Sequence, residues 1–182
     1  MRTRRALPPL DEAHLDELAL RYVGRFATTR AKLRDYLNRK LRERGWEGAA
    51  APDLAALAER LSELGYVDDA AFAAGKSRSL TARGYGARRL SDALRAAGVA
   101  AEDGEAARAL ARAQAVTAAL RFAERRRIGP YAAQVPDLRE REKAIAAMVR
   151  AGHSFPLARA IAMLPLGEVD EELLSDHASQ AL

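Results

Sequence analysis

Apolar residues recur along the chain at three- and four-residue spacing, with charged residues between them. That period belongs to amphipathic helices, not to strands. In "DEAHLDELALRYVGRF", Leu15, Leu18, Val23 and Phe26 fall at helical spacing. A break follows at Ala27-Thr28-Thr29, where Thr28 or Thr29 can cap the next helix. "RAKLRDYLNRKLRERG" then carries Leu33, Tyr36, Leu37 and Leu41 on one face and ends at Gly45, which suits the residue just past a helix. Pro52 and Asp53 open "DLAALAERLSEL", striped by Leu54, Leu57, Leu61 and Leu64, and Gly65 closes it.

The same plan continues downstream. Asp68 or Asp69 suits an N-cap; the preferred assignment makes Asp68 the cap and lets Asp69 favour the positive end of the helix dipole. That helix runs to about Arg83, with Phe72, Lys76, Ser79, Leu80 and Arg83 on one side. Gly84-Tyr85-Gly86 turns into "ARRLSDALRAAG", and "AEDGEAARALARAQ" follows. The last third reads "VTAALRFAERRR", a loop with Gly129, Pro130 and Pro136, "DLREREKAIAAMVRAG" and "PLARAIAML".

Three phrases recur: "KLRERGW", "ALRAAGV" and "MVRAGH", whose glycines Gly45, Gly98 and Gly152 are 53 and 54 residues apart. The shift carries Leu37 onto Leu90, Leu41 onto Leu94 and Met148, Leu54 onto Ala107 and Ile161, and Leu57 onto Leu110 and Leu164. Self-similarity at a fixed period signals a repeated supersecondary unit. The expected fold is all-α, with about three tandem three-helix repeats of period about 53 residues forming an elongated, curved module. The expected boundaries are a basic N-terminal segment (1–10), repeats at 11–66, 67–114 and 115–166, and an acidic C-terminal tail (167–182).

Composition agrees with helices. Only 5% of residues are aromatic, and the apolar mass is mostly alanine and leucine, strong helix formers. The chain has no cysteine, which excludes disulfides and thiolate metal sites. No apolar run approaches the ~18 residues a membrane span needs. "MRTRRALPPL" is basic but lacks the apolar core of a secretory signal, so a cytoplasmic location is expected.

Gly75-Lys76-Ser77 resembles the end of a phosphate-binding loop. Such a loop needs a glycine at position 70, where the chain has Ala70, and it should follow a strand. The triplet is instead expected inside a helix. His14, His153 and His177 are scattered; His14 reads as a solvated helix residue and His153 as part of a turn. No catalytic set, cofactor site or metal site emerges, and no enzymatic activity is expected.

Positive charge is more informative. Net charge is +5, and it is clustered: seven basic and two acidic residues lie from Arg30 to Arg44, six basic and one acidic from Lys76 to Arg95. Arg125, Arg126 and Arg127 end another helix. Two of these clusters fall around the second helix of a unit. Regular stacking would align them into a stripe facing a polyanion or an acidic groove. Alternatively, arginine stems simply cover thin alanine-rich helices. The candidate contacts are Arg34, Arg39, Lys40, Lys76, Arg78, Arg83, Arg88, Arg89, Arg125 and Arg126. Arg88 and Arg89 open a helix, where exposed N–H groups should add positive potential.

"LSELGYVDDAAFAAGKSRSLTARGYGARRLSDALRAAGV" resembles the core of the RecX family, regulators of the bacterial RecA recombinase. Gly65, Tyr66, Val67, Asp68, Asp69, Phe72, Ala73, Arg78, Gly84, Gly86, Leu90, Leu94, Gly98 and Val99 match its pattern. Ala19-Leu20, Arg25 and "LRDYLNRKL" resemble the family's opening. The final third departs: an Arg-Gly-Phe phrase is usual, and here Ala151 and His153 interrupt it. The resemblance spans about Asp11 to Leu164. It implies a non-enzymatic, RecA-binding protein of tandem three-helix repeats that lies in the groove of the RecA–single-stranded DNA filament; a monomer is expected. Such a protein inhibits ATP hydrolysis and strand exchange. Charge alone predicts that single-stranded DNA is touched weakly or through the filament, in a salt-sensitive way. The competing function is a stand-alone, sequence-nonspecific nucleic-acid binder.

Overall fold

A computed structural model describes residues 8–179, and the regular elements among them are helical. In chain order they are α1 (Glu12–Val23), α2 (Arg30–Arg44), α3 (Leu54–Glu63), α4 (Asp69–Ala82), α5 (Ala87–Ala96), α6 (Ala101–Ala113), α7 (Ala115–Arg126), a 3₁₀ turn (Gly129–Tyr131), α8 (Leu138–Arg150), α9 (Phe155–Met163) and α10 (Glu171–Ser179). The all-α fold read from the sequence is the fold observed. Residues 1–7 of the expected basic N-terminal segment lie outside the described residues. Leu10, at the end of that segment, is fully buried, and a backbone bridge ties it to Trp46.

Capping explains where the helices begin. Asp11, Thr29, Asp53, Asp137 and Ser154 each accept an N–H bond from the first turn that follows. Thr29, not Thr28, caps α2. At α8 the cap is reciprocal, since Glu140 reaches back to the Asp137 backbone. The repeated glycines share a positive φ as well as a spacing. Gly45, Gly98 and Gly152 have φ of 83°, 66° and 96°, a region that favours glycine.

Several expectations need correcting. Helix α1 stops at Val23, and Phe26 lies beyond it, 51% exposed. Leu64 and Leu110 also face outward, so the Leu57–Leu110 correspondence is not a buried one. On α4 the buried side is Asp69, Ala73, Ser77, Leu80 and Thr81; Lys76, Ser79 and Arg83 are exposed, without Leu80 among them. The acidic C-terminal segment carries α10, whose Leu174 is fully buried.

The described residues gather into two compact units. The first extends to Phe72 and includes Ala96–Asp103; the second comprises Ala73–Arg95 and the chain from Gly104 onward. The first has a core of leucines, among them Leu10, Leu33, Leu37, Leu57 and Leu61. The second packs Phe122, Met148, Leu157, Ile161 and Leu174.

Inside each unit a helix start crosses a glycine turn. In the first, the buried Thr29 donates its hydroxyl to the Ala97 carbonyl at 2.6 Å, and a Cβ on Gly98 would strike Ala31. In the second, the Gly86 and Arg88 N–H groups donate to the Ala151 and Gly152 carbonyls at 3.0 and 3.2 Å. A Cβ on Gly86 would land on the Gly152 carbonyl, and one on Gly152 would land on the Arg89 backbone. Each crossing pairs groups that helix ends otherwise leave unsatisfied.

Arg30, the first residue of α2, gathers three carboxylates. Its backbone N–H donates to Asp69 at 3.0 Å, and its guanidinium reaches Asp103 at 2.6 Å, Glu59 at 3.2 Å and Asp69 at 3.7 Å. Burial opposes its charge, but Asp69, with Glu59 and Asp103, outweighs this and raises its pKa. Asp68 caps α4 as expected, accepting the Ala71 N–H at 2.7 Å. Asp69 does more than favour a dipole: it is buried and ties α4 to the start of α2. Asp69→Ala should therefore cost about 2–3 kcal/mol in urea unfolding, because it strands a largely buried N–H and guanidinium. Asp68→Ala should cost about 1 kcal/mol, and Asp68→Asn almost nothing. Equal costs for the two alanine variants would contradict this division of roles.

Candidate partner interface

The candidate cations fall into separate groups. On α2, Arg39 and Lys40 flank the Tyr36 ring, 5.6 and 5.9 Å from its centroid, and both reach Glu43, at 3.8 and 2.5 Å. Part of their charge is thereby offset. Arg34 is exposed but lies five residues from Arg39, roughly 140° around the helix. It does not share their face.

In the second unit, Lys76 and Arg83 lie seven residues apart along α4 and its end, on one side. Arg78 is roughly 160° around from Lys76. Arg83 and Arg89 converge on one ring, 5.0 and 5.8 Å from the Tyr85 centroid. Arg88 points elsewhere and lines a cavity of about 610 Å³ together with Arg108 and Arg112 of α6. At the end of α7, Arg126 lies 5.8 Å from the Phe122 ring centroid, and Arg125 is exposed. Among the described residues, Arg34, Lys76, Arg78, Arg88 and Arg125 have no carboxylate within ion-pair distance.

At the start of α5, two of the N–H groups expected to add positive potential are taken up within the fold. The Gly86 and Arg88 N–H groups already face the carbonyls at the end of α8. Charge at Arg88 and Arg89 is side-chain charge. Sequence reading also passed over the rings beneath the cations, Tyr36 and Tyr85, and the pair Arg108–Arg112. The i, i+4 spacing of that pair in "RALARA" was a usable signal.

Ser77 is buried within α4, and its hydroxyl donates to the Ala107 carbonyl at 3.2 Å. A Ser hydroxyl committed in this way does not serve a phosphate loop. Among the described residues, no cluster of three His, Asp or Glu could hold a metal ion, and no helix is long and apolar enough to cross a membrane.

Comparison with known proteins bears on this arrangement. No family model matches the chain. The regulatory protein RecX of Myxococcus xanthus is 34% identical over 157 residues, covering 81% of this chain and 83% of that protein. The regulatory protein RecX of Agrobacterium fabrum is 34% identical over 152 residues, covering 81% and 80%. The chain belongs to the RecX family. Its family role is therefore that of a regulatory protein. The crystal structure of RecX from Lactobacillus salivarius has the same fold, with a TM-score of 0.59 at 19% identity, covering 82% of this chain and 92% of that one.

His153, in this family member, departs from a simple turn residue. It is buried against Phe122, with ring centroids 5.6 Å apart, and its Nε2 donates to the Gly84 carbonyl at 3.1 Å. Burial lowers its pKa from 6.5 to about 4, only partly opposed by the bond to Gly84. The unfolded chain thus binds this proton more readily than the folded one. The neutral-ring contribution is fully present above pH 6.5 and is lost as pH falls towards about 4. The loss should reach on the order of 3 kcal/mol. Unfolding free energies across that range should fall steeply for the native chain and much less for His153→Gln. Parallel pH profiles for the two would contradict a buried neutral histidine.

Proposed function

We propose that this protein binds the RecA–single-stranded DNA filament and lowers its ATP hydrolysis and strand exchange. Family membership supports a regulator, and the exposed cations without carboxylate partners support a polyanionic surface as its target. A filament groove offers nucleic-acid phosphate beside protein. The proposed contacts are Arg34, Arg39, Lys40, Lys76, Arg78, Arg83, Arg88, Arg89, Arg125 and Arg126. On this reading the protein works in the cytoplasm, as a monomer of three-helix repeats (11–66, 67–114 and 115–166), without catalysis of its own.

Arg88 carries the reading furthest, because it is exposed, unpaired among the described residues and mounted on a helix start fixed by two backbone bonds. Added to preformed filaments, the protein should slow ATP hydrolysis at far less than one copy per nucleotide. The effect should weaken as salt rises. Reversing Arg88 and Arg89 to Glu should weaken inhibition roughly tenfold, about 1.4 kcal/mol, with the helical circular-dichroism signal intact. Inhibition only at DNA-coating amounts, and only before filament assembly, would instead mark a stand-alone nucleic-acid binder.

A further inference from the structure

In the first unit, three rings from two helices and the turn between them form a continuous ladder. Tyr22 of α1 stacks on Tyr36 of α2, with centroids 4.1 Å apart and planes at 12°. Phe26, in the turn, continues from Tyr22 at 5.4 Å and 50°. Cations sit at both ends. Arg25 lies 5.6 Å from the Phe26 centroid, and Arg39 and Lys40 flank Tyr36. Against these three positive charges stand Glu43, paired with Arg39 and Lys40, and Asp35, which precedes Tyr36 on the same helix. The patch keeps a positive balance. Tyr22 and Tyr36 are half-buried against the core, while Phe26 is 51% exposed.

A chain this poor in aromatics has placed three of them together under cations and left one ring half-exposed. Burial does not account for Phe26. Its ring is too exposed to gain much from the core, and its helix has already ended. A half-exposed ring beside backbone-seeking cations matches an unpaired nucleotide strand, whose bases offer π-faces and whose phosphates offer charge; a base on Phe26 would take the place of the Arg25 guanidinium over the ring. A duplex hides those faces. An acidic peptide would satisfy the cations but leave the ring unpartnered.

We propose that Tyr22, Phe26 and Tyr36, with Arg25, Arg39 and Lys40, form a stacking platform for single-stranded nucleic acid, with Phe26 as the ring on which a base sits. This rests on the reading above that a polyanion docks on the protein, and it adds base stacking to charge.

The test uses the full chain at low salt and fluorescence anisotropy. The probes are a labelled oligothymidine of roughly 16 nucleotides and an abasic strand of the same length. The native chain should prefer oligothymidine by at least about fivefold. Phe26→Ala should erase that preference without weakening abasic binding, and Phe26→Trp should keep it. The platform is overturned if Phe26→Ala retains the preference, or if the native chain binds both strands equally. Tighter binding of an oligoglutamate of equal charge would also overturn it, assigning the patch to an acidic protein segment. Measuring the same variants on RecA filaments separates the two ideas. If charge reversal at Arg88 and Arg89 abolishes inhibition while Phe26→Ala leaves oligothymidine binding untouched, the platform alone fails. If the native chain binds neither strand nor filament, both readings fail.

Discussion

A helix cannot bury its first turn unless those N–H groups find acceptors. Helices α2 and α5 both begin in crowded surroundings, and the protein meets the constraint by setting each start against the turn that ends another helix. At α5 the acceptors are the Ala151 and Gly152 carbonyls. These are themselves orphan groups from the end of α8. At α2 the Thr29 hydroxyl does the matching work on the Ala97 carbonyl, and Asp69 receives the Arg30 N–H. One crossing therefore satisfies two helix ends at once. It is possible only where backbones come close, which is why Gly86, Gly98 and Gly152 sit there.

The same geometry governs charge. Arg30 belongs to the most basic stretch of the chain, yet its guanidinium is held by Glu59, Asp69 and Asp103 and is unavailable to a partner. Arg88 leaves an anchored helix start and lines a cavity, with no carboxylate on it among the described residues. Charge counted along a sequence treats these two arginines alike. Packing makes one an internal tie and the other a candidate contact.

Much of the fold was legible because it rests on local rules. Period, caps and C-terminal glycines located the helices at Thr28 or Thr29, Asp53, Gly45 and Gly98, since each signal acts within one turn of its residue. Non-local facts were not legible. Nothing near Asp69 in the chain reveals that Arg30, 39 residues earlier, lies against it. Phe26 keeps helical spacing with Leu15, yet α1 ends before it at Gly24. Leu174 reads as part of an acidic tail because its burial depends on α7 and α9. The candidate cations were legible by residue type, whereas their grouping over Tyr36 and Tyr85 required the turns to be folded.

Gly86 offers the most direct test of the crossing as the organising contact. It does not have a positive φ, so alanine there adds no backbone strain and probes the close approach alone. Gly65 is the natural control, with φ of 76° and nothing within 4 Å of a Cβ. Its alanine variant should cost about 1–2 kcal/mol from the left-handed conformation only. Hydrogen exchange at the amides of α5 and α8 is the measurement. Gly86→Ala should accelerate exchange in both helices by more than Gly65→Ala does, because it forces the α5 start away from the Gly152 carbonyl. Native-like protection of α5 and α8 in Gly86→Ala would contradict the account.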